Sequence, residues 1–236
     1  MPDVLVVDDE RAARESLGCA LVKEGFEVRE AADGLSALDA MDADPPAAVV
    51  LAVRLAGLGR VEAGLGGVKA GLGGVEVVRR LRDQRRTLPV CVLAGRDAVA
   101  DRRAALAAGA DDCLVEPFAA AELAARLQAM LQHETGDQRP LHLGDLTIEP
   151  ARWVATRRGR DLDLTTRELE VLVALARHGG RPLTRDQLLA QVWGYTWEVD
   201  GDVVDVFVGG LRRKLEAAGE PRILNGVAGD RFVVTA

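Results

Sequence analysis

Residues 4–8 read VLVVD, and two further acids (Asp9, Glu10) separate them from RAARESLGCALVK at 11–23. The first stretch is a short, uniformly apolar run that ends in an aspartate, as suits a strand buried on both faces. The second mixes apolar and charged residues at helical spacing. A buried strand that passes at once into an amphipathic helix is the first half of a βαβ unit. The pattern recurs. Candidate strands follow at Phe26–Ala31, Ala47–Val53, Leu88–Ala94 and Asp112–Val115. Candidate helices lie at Leu35–Met41, Val75–Arg86, Val99–Ala108 and Ala119–Gln132. Five βα units predict a doubly wound α/β domain over 1–132, with its working edge at the carboxyl ends of the strands.

The chain has 236 residues, 48% hydrophobic and 28% charged. That length suits one large or two ordinary globular domains. No apolar run approaches a membrane span, and no basic leader with a small-residue cleavage site is evident. Cys19, Cys91 and Cys113 are odd in number, far apart and without metal-ligand spacing, which predicts a reduced, cytoplasmic protein. The net charge of −7 is carried by residues 1–138, with 16 basic and 23 acidic residues; 139–236 carry 14 of each. Neither half is broadly basic, so any nucleic-acid contact must be local.

HETGDQRP (133–140) is polar and aperiodic, and reads as a linker. The pattern then changes. Short β-like pieces (Leu141–Ile148, Trp153–Thr156, Arg160–Leu164) precede three helices. Thr165-Thr-Arg-Glu168 and Thr184-Arg-Asp-Gln187 open the first two as capping boxes, and the third spans about Asp202–Ala217. Two strands, Arg222–Gly226 and Arg231–Thr235, then turn around Ala228-Gly229-Asp230. Strands, three helices and a terminal hairpin make an α+β winged-helix domain over 141–236.

At this point the chain resembles an OmpR/PhoB-type response regulator, a receiver domain joined to a winged-helix DNA-binding domain. The resemblance rests on VLVVDDE (4–10), AADGLSAL (31–38) and LAAGADDCLVEPF (106–118) in the first half. In the second it rests on LTTRELEVLVALARHGGRPLTRDQLLAQVWGY (164–195) and VVDVFVGGLRRKLEA (203–217). In that family a carboxylate ending the third strand accepts a phosphoryl group, acids after the first strand hold Mg²⁺, and a hydroxyl and a lysine meet the phosphoryl oxygens.

Carried onto this sequence, the acceptor falls on Ala52, the hydroxyl on Ala94 and the lysine on Glu116. The aromatic that repacks during switching falls on Cys113. Only Asp8 and Asp9 remain. Alanine has no nucleophile and Glu116 would repel phosphate, so the resemblance implies an atypical pseudo-receiver without aspartyl phosphorylation. Asp8, Asp9 and Glu116 are either a residual Mg²⁺ site or solvated strand-end acids; without a third-strand ligand, the second reading and no cofactor are expected.

The resemblance further implies double-stranded DNA as partner. Asp205, Arg212, Arg213 and Lys214 on the third helix and Arg231 in the wing are the candidate contacts. Gly209-Gly210 in mid-helix and Ala228 at the usual wing arginine depart from the family pattern. A homodimer is expected through charges at Asp101, Arg102, Asp111, Asp112, Glu122 and Arg126. Trp193, Tyr195 and Trp197 lie where relatives touch RNA polymerase, or serve as packing anchors. No nucleophile–base pair or cofactor loop occurs, so an enzyme is not expected. Two alternatives to a phosphorylation-independent DNA-binding regulator stay open: a pseudo-regulator that titrates another regulator, and a ligand-sensing switch.

One feature stands apart. Residues 56–76 read AGLGRVE-AGLGGVK-AGLGGVE, a heptad stated three times, with eight glycines in 21 residues. That glycine content argues against a coiled coil, and Glu62 breaks a dinucleotide fingerprint. Relatives cross this interval in about five residues; here Ala56–Gly74 takes 19, an excess of two heptads. The reading is a tolerated, flexible or loosely helical insertion near 56–74.

Overall fold

The computed structural model describes residues 1–55, 72–132, 138–194, 202–228 and 230–235. The glycine-rich repeat from 56 to 71, the linker residues 133–137 and the loop at 195–201 lie outside them. The chain divides into two compact units, Met1–Leu131 and Gln132–Ala236.

The first unit alternates strand and helix throughout: β1 (Asp3–Val7), α1 (Arg11–Lys23), β2 (Glu27–Ala31), α2 (Gly34–Ala43), β3 (Ala48–Ala52), α3 (Gly74–Asp83), β4 (Val90–Ala94), α4 (Val99–Ala107), β5 (Asp112–Val115) and α5 (Ala120–Leu131). The sheet is parallel in the order β2-β1-β3-β4-β5. β3 and β4 are buried along their whole length, as their uniform apolar runs require. On one face Val4, Val6, Val50, Cys91 and Leu93 pack with Leu21 of α1 and Leu123 and Leu127 of α5. β2 forms one edge and carries Glu27, Arg29 and Glu30, charges that discourage further pairing there. Phe26, expected inside that strand, precedes it. Gly25 turns with φ 94°, and the Phe26 amide returns to the Leu21 carbonyl.

Two close approaches fix the region around β3. A Cβ on Gly74 would stand 2.4 Å from the Ala52 carbonyl oxygen, so α3 begins directly against the end of β3. A Cβ on Gly34 would stand 2.6 Å from the Leu72 carbonyl oxygen. Asp33 caps α2 through the amides of Leu35 and Ser36, and the Ser36 hydroxyl closes the box.

The second unit starts with a four-stranded antiparallel sheet: β6 (Leu141–Leu143), β7 (Leu146–Glu149), β8 (Val154–Arg157) and β9 (Arg160–Asp161). The single strand expected over 141–148 is thus a hairpin, because Gly144 takes φ 56° and reverses the chain. Helices α6 (Thr166–Arg177) and α7 (Arg185–Val192) both open with complete capping boxes. Helix α8 (Asp202–Leu215) follows, then β11 (Leu224–Val227) and β12 (Arg231–Val234). A two-residue strand absent from the sequence reading, β10 (Leu183–Thr184), joins this hairpin in the order β10-β12-β11. It ties the start of α7 to the wing, and the Arg185 amide also donates to the Asp230 carbonyl.

Candidate functional site

The carboxyl edge of the parallel sheet gathers the residues singled out in the first unit. Ala52 ends β3 and is 9% exposed, with Leu93 as its register partner. Ala94 ends β4 and is buried; its carbonyl accepts from the Glu116 amide at 2.9 Å. Glu116 itself is exposed. Asp8 accepts from the Glu10 amide at 2.8 Å. Burial pushes the Asp8 carboxyl above its ordinary range, against that hydrogen bond, and the nearby charges of Asp9 and Glu10 push the same way. Asp9 lies in a cleft of about 680 Å³ with Arg54, Arg79, Glu76 and Asp101. Both arginines there already hold carboxylates: Arg54 to Asp101 at 2.7 Å and Arg79 to Glu76 at 2.6 Å. Among the described residues, no three His, Cys, Asp or Glu side chains come together as a metal site. Cys113 is buried, and burial beside Asp112 holds its thiol up to about 12. It is a neutral packing group at ordinary pH.

Of the six charges expected on a pairing face, four are not at the surface. Arg102, Asp111, Asp112 and Arg126 are buried within the unit, at 4%, 2%, 1% and 7% exposure. Buried charge requires a partner, and most of it is found inside the chain. Asp111 takes Arg82 of α3 at 2.7 Å and accepts from the Val90 amide at the start of β4 at 2.8 Å. Asp112 takes Arg126 at 3.1 Å, and Arg126 also reaches Glu122 at 2.8 Å. Asp101 and Glu122 keep appreciable exposure, although both are paired as well.

In the second unit, Val203, Val204, Phe207, Val208, Leu211 and Leu215 form the buried face of α8. The outward face shows Asp205, Val206, Gly209 and Arg213. Asp205 is bound by Arg185 of α7 at 2.9 Å. Two other candidate contacts, Arg212 and Lys214, are half-buried and bonded within the unit. Lys214 donates to Glu168 and to the Asp163 carbonyl, both at 2.7 Å, and Arg212 donates to the Leu224 carbonyl at 3.0 Å. Both fix α8 to its own unit, because their positions near its carboxyl end face α6 and β11. Arg213 is exposed, as is Arg231, which bridges the wing turn to the Ala228 carbonyl at 3.0 Å.

Trp193 is 1% exposed. It packs against Phe207 at 5.3 Å between centroids, and Arg167 lies over its ring. That is the packing role. Tyr195 and Trp197, the rest of the expected polymerase contact, fall outside the described residues. Sequence reasoning missed Arg185, Arg157 and Arg160; for Arg157 the alternation of β8, which puts it on the buried face with Ala155, was the available signal.

Residues 4–128 match the family described as response regulator receiver domain, and residues 159–230 match transcriptional regulatory protein, C terminal. The chain belongs to the OmpR/PhoB-type response regulators. The transcriptional regulatory protein PrrA of Mycobacterium tuberculosis is 44% identical to the regulator over 237 residues, 99% of this chain and 96% of that protein. The response regulator MprA of Mycobacterium sp. strain KMS is 41% identical over 235 residues, 98% and 96% of the two chains. The solved structure of a RitR mutant shares the fold at a TM-score of 0.76, with 22% identity, covering 100% of the regulator and 99% of that chain. The regulator is a DNA-binding member of a two-component system, and response regulators of this build are transcription factors rather than enzymes. No helix among its described residues is long and apolar enough to cross a membrane.

Proposed function

We infer that this response regulator binds double-stranded DNA through α8 and the β11–β12 wing, and controls transcription in the cytoplasm without aspartyl phosphorylation. The observation that carries the reading is Ala52 at the end of β3, where the family places its acceptor carboxylate. Ala94 ends the neighbouring strand and an exposed carboxylate, Glu116, follows β5. A methyl group cannot attack phosphorus, and neither neighbour supplies the hydroxyl or cation that phosphoryl transfer uses. In this reading residues 1–132 are a pseudo-receiver, 133–140 a linker and 141–236 the output domain.

Incubation with a small phosphodonor and Mg²⁺, followed by intact-protein mass spectrometry, tests the phosphorylation clause. The expected result is an unchanged mass. A stoichiometric acyl phosphate that maps to an aspartate overturns it. The match over 159–230 favours DNA binding over titration of another regulator. Homodimerisation belongs to the same reading, with Asp101 and Glu122 as its remaining half-buried charges; sedimentation velocity on the purified chain reads it directly.

A further inference from the structure

Arg157 is the most deeply buried arginine of the second unit, at 1% exposure. It sits at the end of β8, and its guanidinium divides among three separate segments. Nε donates to Asp145 Oδ1 in the β7 turn at 2.8 Å. Nη1 donates to the Leu215 carbonyl, at the last residue of α8, at 2.9 Å. Nη2 donates to the Pro221 carbonyl at 2.8 Å. From the same hairpin, Arg160 donates to the Lys214 carbonyl at 3.1 Å and to Glu220 at 2.7 Å.

The last carbonyls of a helix have no intrahelical partner and carry the negative end of its dipole. Two arginines from the amino-terminal sheet meet that end. Beside the ties of Asp205 to Arg185, of Arg212 to the Leu224 carbonyl and of Lys214 to Glu168 and the Asp163 carbonyl, α8 is held by its apolar face, and apolar burial is non-directional. It holds the helix against the core but defines poorly its position along its own axis. A planar guanidinium that holds three acceptors fixes distance and direction together.

We propose that Arg157 is a positioning residue for DNA reading: it sets the axial position of α8 so that the outward Val206 and Arg213 meet base edges in register. The proposal rests on α8 being the DNA-reading helix. Arg157 itself, being buried, touches no phosphate. Its loss therefore lowers discrimination between sequences and leaves the electrostatic share of binding in place.

The test compares wild type and Arg157→Lys, which keeps the charge but loses the planar fork. A sequence selected from genomic fragments by the wild type and a random duplex of equal length are the probes, each titrated at several salt concentrations. The expected result is a fall of about tenfold in the ratio of specific to non-specific affinity, equal to one good base contact. The salt slope on random DNA should not change. Asp145→Asn, which loosens the anchor while keeping Arg157, should shift the ratio the same way by less, and it carries the test if the lysine variant does not fold. An unchanged ratio in a folded variant, or a salt slope that falls with the ratio, overturns the proposal. Wild-type protein that selects no sequence sinks the DNA-reading assignment itself, a different outcome from a discriminating wild type with an equally discriminating variant.

Discussion

Gly209 and Gly210 are adjacent in sequence and opposite in surroundings. A Cβ on Gly209 would find only the Arg213 guanidinium, 4.0 Å away, whereas one on Gly210 would stand 2.8 Å from Glu168 Oε1. Glu168 cannot easily yield, because it accepts from the Thr165 amide and from Lys214. Gly209→Ala should therefore stabilise the second unit by about 1 kcal/mol, the ordinary helical difference between the two residues. Gly210→Ala should give no such gain. Urea unfolding followed by tryptophan fluorescence separates them, because all three tryptophans lie in this unit. At this scale the sequence showed which residues were unusual but not which way they point. β8 was an exception in principle. Ala155 and Arg157 share a face by strand alternation and are both buried, so the position of Arg157 was legible to anyone who trusted the period over the charge.

At the scale of elements, the parallel strands were plain because each is an apolar run of strand length, and the capped helices because their boxes are local chemistry. The hairpin within 141–149 and the two-residue β10 were not. The first depends on a left-handed Gly144, and the second has too few residues to show a period. The buried acids at the start of β5 were opaque for another reason: Asp111, just before the strand, and Asp112, its first residue, are neighbours in sequence, yet their partners lie on α3 and α5. Two predictions belong here. Gly74→Ala drives a methyl into the backbone of Ala52 and Val53, and should cost about 1–3 kcal/mol as overpacking does; circular dichroism during urea unfolding measures it. The second concerns acid. Arg160 holds Glu220 down at about 2, Arg157 and then Arg158 lower Asp145, and Arg222 lowers Glu216. Groups depressed in the folded state stabilise it above their unfolded values and lose that contribution as pH falls through the folded ones. Tryptophan fluorescence should therefore show the second unit losing stability from about pH 4.5 toward pH 2, and Glu220→Gln should flatten that slope.

For the whole molecule, family membership was legible because long motifs recur in order along nearly the entire chain, and the two matched domains bear this out. The consequence of Ala52, Ala94 and Glu116 is chemical and needs only the identities of three side chains at one sheet edge. What receiver and output do to one another is a functional question. If no aspartate can accept a phosphoryl group, DNA affinity must be independent of phosphodonor. The decisive measurement is the Kd of the full-length regulator for a wild-type-selected duplex, with and without phosphodonor and Mg²⁺, at fixed ionic strength. The account predicts the same Kd in both. Tighter binding with the donor, together with a phosphoryl group on the protein, would contradict it.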